Sequence, residues 1–384
     1  MTDKIMKYDT KILHGAIDRD PWTGALSIPV YPASTYHQKN VDERQAYVYS
    51  RSENPTRRAL EETLAALEGG RRGYAFASGV AAITAALTAV LESGDHVVVT
   101  RDLYGGTYRL FTEYLSRFGI THTFADTSDP DEVERAVNPR TRALFLESPS
   151  NPILKIIDFE AIVALARARG LVTMLDNTFL SPYFFRPLEL GVDMSIHSAT
   201  KFLGGHSDLV AGAVIAATRE MGRKVLSVQM TTGAVLSPEN SWLLMRGIKT
   251  LRARMTIQAQ GAMKIAGWLA AQPWVERVYY PGLAAHPGHD IITRQASGYG
   301  AVVSFVADSV SRAYAIMKGV RIWTVAVSLG GVESILSYPA KMSHSGIPLA
   351  ERQALGITDS LLRLSVGLED ADDLMEDLEQ AARM

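Results

Sequence analysis

Three segments of this chain end in residues that could work together. Tyr74–Ala77 runs into Ser78-Gly79-Val80, Leu171–Leu175 into Asp176-Asn177-Thr178, and Met194–His197 into Ser198-Ala199-Thr200-Lys201. A helical, Ala-rich pattern follows Ser78, so Ser78-Gly79-Val80 opens a helix. A helix start offers free N–H groups and the positive end of its dipole, a cup for a phosphate. Gly79 allows close backbone approach. The other two ends supply a carboxylate, two hydroxyls and an amine. Each residue also has a plainer reading. Ser-Gly at a helix start is a cap, a lone Lys is a solvated charge, an Asp after a strand is an N-cap, and Tyr104 can simply pack in the core.

The plainer readings do not explain why these groups arrive together at the ends of successive strands. Pyridoxal phosphate (PLP) chemistry needs this set. It takes a lysine to bond the cofactor's aldehyde and a carboxylate to keep the pyridine nitrogen protonated, so that the ring accepts electrons. Hydroxyls, amides and an arginine hold the phosphate.

The elements that must position these groups follow from periodicity. Residues 1–54 are rich in Pro, Tyr, Ser and charge and read as an extended arm with a few turns. Thr56–Leu67 reads as a helix stopped by Gly69-Gly70. Short β-rich runs then alternate with helical ones: strand Tyr74–Ala77, helix to Leu91, strand Val97–Thr100, helix Gly106–Phe118, strand Ala143–Leu146. Phe159, Ile162, Val163 and Ala166 give the buried stripe of a helix Phe159–Arg169, with Asp158 as N-cap and Gly170 as its end. Strands alternating with helices predict a mostly parallel, doubly wound sheet, whose ligands sit beyond the carboxyl ends of the strands. Ser241–Ala271 reads as a long, broken helix. Strands Ala301–Phe305 and Leu362–Ser365 and helices Asp308–Lys318 and Asp370–Ala382 suggest a smaller α+β unit. The expected division is 1–54 arm, 55–245 large PLP-binding domain and 246–384 C-terminal domain.

Composition narrows the function. In 384 residues the net charge is -2, which provides no global field for nucleic acid or anionic lipid. The chain has no cysteine, so disulfides, thiolate nucleophiles and Cys-ligated metal or iron–sulfur sites are excluded. Its first residues are charged, without the apolar core of a signal peptide, and the longest mostly apolar stretch, Phe76–Leu91, is too short to span a bilayer. A cytoplasmic location is expected. His286 and His289 sit in His-Pro-Gly-His without a nearby carboxylate and read as a polar loop; no metal is expected.

The chain resembles the Cys/Met-metabolism family of PLP enzymes, from about Tyr8 to its C-terminus. The similarity lies in Tyr49-Ser50-Arg51, Ser78-Gly79, Asp102 to Thr107, Glu147 to Pro152, Asp176 to Phe179, His197 to Gly205, Ser328 to Ser334 and Arg363 to Gly367. The resemblance implies the fold-type-I architecture of aspartate aminotransferase and a homotetramer, a dimer of dimers with shared active sites. It also implies roles. Lys201 is the Schiff-base lysine and proton shuttle, Asp176 pairs with the pyridinium nitrogen, and Tyr104 stacks on the ring. Ser78, Gly79, Val80, Ser198 and Thr200 hold the phosphate, and Asn151 lies near the ring hydroxyl. Arg363 grips the substrate carboxylate, aided by the backbone at Ser328. Tyr49 and Arg51 reach the neighbouring subunit's phosphate. Three positions depart from the family pattern. Glu53 replaces a usual Gly, Val80 replaces Met or Leu, and Gly106 stands where methionine γ-lyases carry Cys.

Members of this family share their active-site set, so spacing leaves β-elimination, γ-elimination and γ-replacement open. The segments Val278–Gly300 and Leu355–Asp359 look most like bacterial cystathionine lyases, and Val327 fills a position where many γ-lyases have Glu. The expectation is a carbon–sulfur lyase, β before γ, with a γ-synthase or O-acylhomoserine sulfhydrylase third. A regulatory protein that kept the fold would have lost Lys201, Asp176 or Arg363, and all three are present.

Overall fold

The computed structural model describes residues 6–16, 19–43 and 45–384. The alternating runs assemble a seven-stranded sheet from β1 (Arg72–Phe76), β2 (His96–Thr100), β3 (Thr121–Ala125), β4 (Thr141–Glu147), β5 (Val172–Asp176), β6 (Met194–His197) and β7 (Gly212–Ala216). Their spatial order is β1-β7-β6-β5-β4-β2-β3. Strands β3, β2, β4, β5 and β6 run parallel, and β7 is antiparallel to both its neighbours. Helices cover both faces, so β2, β4 and β7 are buried apart from Arg142 near the start of β4, and β2, β7 and Ala143–Leu146 of β4 read as largely apolar runs. A second sheet takes β8 (Val275–Tyr279), β9 (Val302–Ala307), β10 (Thr324–Val325), β11 (Ile335–Ser337) and β12 (Leu361–Ser365), in the order β10-β11-β12-β9-β8.

Local signals place many elements. The helix Phe159–Arg169 has the predicted bounds: Asp158 accepts from the Glu160 and Ala161 amides, and the predicted stripe is buried. Gly170 ends the helix in the left-handed region at φ 64°, where glycine carries no Cβ penalty. The long helical stretch does break, at Thr250, between Pro238–Lys249 and Leu251–Ala270.

Other expectations need correction. The arm contains a helix, α1 (Tyr8–His14), which buries Ile12. Helix α2 (Pro55–Glu68) follows it, capped by Asn54. The Ala-rich helix after β1, α3, runs from Gly79 only to Thr88. The segment after Tyr104 is not one α-helix. It is α-helical over Gly105–Arg109, then a π-turn over Leu110–Tyr114, then a 3₁₀ turn over Leu115–Phe118. Strands β3, β7 and β8 were not expected, nor was the helix Arg219–Thr232. In β7 the glycine that argues against a strand is a packing requirement. A Cβ on Gly212 would overlap the Ser78 carbonyl oxygen, so only glycine lets β7 pass behind the start of α3.

Candidate active site

The carboxyl ends of the large sheet and strand β12 of the small one face a single cavity of about 540 Å³. Ser78, Gly79, Val80, Tyr104, Asn151, Asp176, Ser198, Thr200, Lys201, Ser328 and Arg363 all line it, and Val327 and Gly106 stand on its wall. Tyr49 and Arg51 do not. They are exposed on the arm, where the Arg51 guanidinium lies 5.6 Å over the Tyr49 ring and its Nη1 donates to the Met230 carbonyl at 2.6 Å.

One end of the cavity is a cup for an anion. Ser78 Oγ accepts from the Ala81 amide at 3.1 Å, and the Ala82 amide bonds the Ser78 carbonyl at 3.1 Å. The first two amides of α3, those of Gly79 and Val80, are thus left at the helix start facing the cavity. A Cβ on residue 79 would come within 2.8 Å of Ser198 Cβ, so glycine is needed for this approach. The Thr200 hydroxyl is bonded on both sides to Ala211, accepting from its amide at 2.9 Å and donating to its carbonyl at 3.1 Å. It can donate to an anion only by turning away from that carbonyl.

The floor of the cavity carries two buried carboxylates. Asp176 is the last residue of β5 and Glu147 the last of β4, and the two are partners in the strand register. Asp176 Oδ1 accepts from the Thr178 amide at 3.0 Å and from the Thr178 hydroxyl. Glu147 accepts from the Tyr104 amide and from the Asn151 amide, each at 3.1 Å. Burial pushes both carboxyls above the ordinary range, Glu147 well above it with help from the Asp176 charge; the Thr178 bonds oppose the rise at Asp176.

The third side is cationic. Lys201 Nζ donates to Ser328 Oγ at 2.5 Å. Arg363, buried in mid-β12, donates from Nη2 to the Ser328 carbonyl and from Nη1 to Asn151 Oδ1, both at 2.8 Å. Its Nε is buried with no partner, which leaves a donor for a carboxylate. Ser328 holds φ 87°, a costly conformation for a residue with a Cβ, and Lys201 and Arg363 grip it from both sides. Burial, with the Arg363 charge behind it, lowers the Lys201 amine to about 8.

These groups fit PLP. The α3 amides suit a phosphate, the buried acidic floor needs a cation such as a protonated pyridine nitrogen, and a buried amine of lowered basicity suits an aldehyde. Sequence reasoning gave Glu147, Thr178 and His344 no role. An apolar run closed by an acid, the signal that marks Asp176, marks Glu147 as well. His286 and His289 belong elsewhere: burial lowers His286 to about 4, and His289 bonds the Pro281 carbonyl and stacks on Tyr299.

Comparison with known proteins decides the family. The profile of the Cys/Met metabolism PLP-dependent enzymes matches residues 9–383. The chain belongs to that family. Its cofactor is therefore PLP and it is a PLP-dependent enzyme. Among curated relatives, a cystathionine β-lyase of Bacillus subtilis is 52% identical over 98% of this chain and 96% of its own length. A cystathionine γ-lyase of the same organism is 51% identical over 98% and 99%. The structure of a Lactobacillus plantarum cystathionine γ-lyase complexed with L-serine superposes with a TM-score of 0.96 at 45% identity, covering 98% of both chains.

The lowered basicity of Lys201 has a kinetic consequence. If Lys201 bonds the cofactor, its free amine is the nucleophile, so capture of PLP by the apoprotein should speed up as pH rises through about 8 and then level off. Stopped-flow absorbance across that range checks it. A midpoint near that of an ordinary lysine, ~10.4, would show that the pocket does not tune the amine.

Proposed function

We propose that this enzyme cleaves cystathionine and related sulfur amino acids by β-elimination, so that cystathionine and water give homocysteine, pyruvate and ammonia. When bound, PLP supplies the sink for the electron pair left at Cα once its proton is removed. The chain's residues do the rest. Arg363 binds the α-carboxylate through Nε and its forked guanidinium, held by Asn151 and Ser328. Lys201 is the covalent attachment point; once freed, its amine takes the Cα proton and returns a proton to the departing thiolate. Asp176 holds the proton on the pyridine nitrogen, and Tyr104 flanks the ring. Ser78, Gly79, Val80, Ser198 and Thr200 hold the phosphate.

The observation that favours β- over γ-elimination is Val327. A γ-elimination must remove a second proton, from Cβ, and the residue beside Ser328 on the cavity wall, Val327, offers no basic side chain to take it. The second reading, a γ-lyase giving cysteine, 2-oxobutyrate and ammonia, is supported by the relative of that name at 51% identity. Feeding cystathionine and identifying the keto acid by mass separates them. Pyruvate is expected; 2-oxobutyrate would transfer the assignment to γ-elimination.

The active protein is proposed to be a cytoplasmic homotetramer, a dimer of dimers in which Tyr49 and Arg51 complete the partner's phosphate site. No helix among the described residues is long and apolar enough to cross a membrane. The arm supports the shared site: it leaves Trp22 86% and Val41 91% exposed, large apolar groups that a partner could cover. Co-refolding Lys201→Ala with Arg51→Ala subunits tests it. In a mixed dimer one site takes both defects and the other neither. Two nearly inactive variants should then regain up to about half of wild-type activity per mixed dimer, if the sites are independent. Confirmed mixed dimers without recovery would put Arg51 in its own subunit's service.

A further inference from the structure

Two loops carry the Tyr104 ring and the Asn151 amide into the site. One follows β2 and runs from Asp102 to Tyr104; the other follows β4 and runs from Ser148 to Asn151. Buried side chains fasten the loops together. Ser150 Oγ donates to Asp102 Oδ2. Glu147 accepts from the Tyr104 and Asn151 amides, as described above.

His344 completes the fastening from the small sheet's side. It lies between β11 and β12, is fully buried, and does not itself line the cavity. Its Nε2 sits 3.2 Å from the Leu103 carbonyl and 3.0 Å from the Asn151 carbonyl, so Nε2 must carry the hydrogen. Its Nδ1 then accepts from Ser343 Oγ at 2.8 Å. Burial and the Arg363 charge lower the ring to about 4, so the neutral tautomer persists at neutral pH. The Leu103–Tyr104 peptide is thus held at both ends, its carbonyl by His344 and its N–H by Glu147. The backbone of Asn151 is held the same way. The fit is close as well: a Cβ on Gly105 would overlap the Ser343 carbonyl oxygen.

We propose that His344 is a positioning residue: with Glu147 it brackets the Leu103–Tyr104 peptide and Asn151, and so sets both the tilt of the Tyr104 ring and the reach of Arg363. The link to Arg363 is direct, because Asn151 Oδ1 accepts from Arg363 Nη1. The inference rests on the cavity being the PLP site.

The test compares two conservative variants with wild type. In His344→Gln the side-chain amide can place an N–H near the position of Nε2. In His344→Asn the amide lies near Nδ1 and cannot reach both carbonyls. Three quantities are read: PLP bound per subunit, the visible circular dichroism of bound PLP, and KM for cystathionine. PLP is achiral, so its dichroism reports how asymmetrically the site seats it. The Asn variant should bind PLP but change the dichroism and raise KM about tenfold, the scale of one or two lost hydrogen bonds. The Gln variant should keep the dichroism and stay within about twofold of wild-type KM. If Gln is as impaired as Asn, or if both match wild type, the bracket is wrong. Should the Asn variant fail to fold, Gly105→Ala takes its place, since its Cβ would press the Ser343–His344 backbone away from the Tyr104 loop while keeping the imidazole itself. Altered dichroism there supports the bracket, and unchanged dichroism overturns it. A wild-type apoprotein that takes up no PLP would instead overturn the reading of the cavity, and this inference with it.

Discussion

Two carboxylates placed side by side in a buried floor are the constraint around which the site is arranged. Glu147 and Asp176 end adjacent parallel strands in register, so the sheet itself sets their proximity. Taking both out of water and setting them beside each other's charge is costly, and burial raises the proton affinity of each. The surroundings meet this cost in different ways. Glu147 is turned to backbone amides and feels the Arg363 charge, so it serves as a girder. Among the described residues, Thr178 alone bonds the Asp176 carboxylate, on one oxygen, with His197 acting on it through charge; the other oxygen is left for a cation arriving from the cavity. A cofactor with a protonated ring nitrogen would supply that cation.

The cationic side is organised from the opposite direction. Arg363 reaches from the small sheet, and its contacts to Asn151 and Ser328 hold the two sheets' contributions together. The same arginine lowers the basicity of Lys201, whose amine rests on Ser328. One residue therefore tunes the amine and, in the proposed reaction, is also the one that would seat the substrate carboxylate. Such convergence is expected where remote elements must share one cavity. It also explains why Ser328 tolerates its strained backbone: its hydroxyl and its carbonyl are both gripped.

Much of this was legible in the sequence, for a physical reason. Chemistry on a parallel sheet concentrates at strand ends, so Ser78-Gly79, Asp176 and Lys201 announce themselves as polar residues closing apolar runs. The helix Phe159–Arg169 was equally plain because cap, stripe and stop all agree. What escaped reading acts through backbone or distance. Glu147 touches N–H groups, which any residue supplies. His344 meets an Asn151 carbonyl 193 residues away, a pairing that no local pattern encodes. Strand β3 is a partly exposed edge with polar residues, β7 begins with a glycine that sterics require, and α1 has only 7 residues, too short for periodicity to speak. The shape of the cavity wall at Gly106 was also hidden. A Cβ there would overlap the Tyr104 ring, so glycine is what lets that ring lie where it does.

The central claim is that Asp176 awaits the charge of the cofactor ring. The most direct measurement is the rise in melting temperature on adding saturating PLP to the apoprotein, for wild type and for Asp176→Asn. A ligand that binds the folded state raises its stability in proportion to the logarithm of its affinity. The account predicts a clear rise in wild type and less than about half of it in the variant, because Asn keeps the shape but cannot balance a pyridinium charge. An equal rise in both proteins would contradict it, for then the buried carboxylate would contribute nothing to holding the ring.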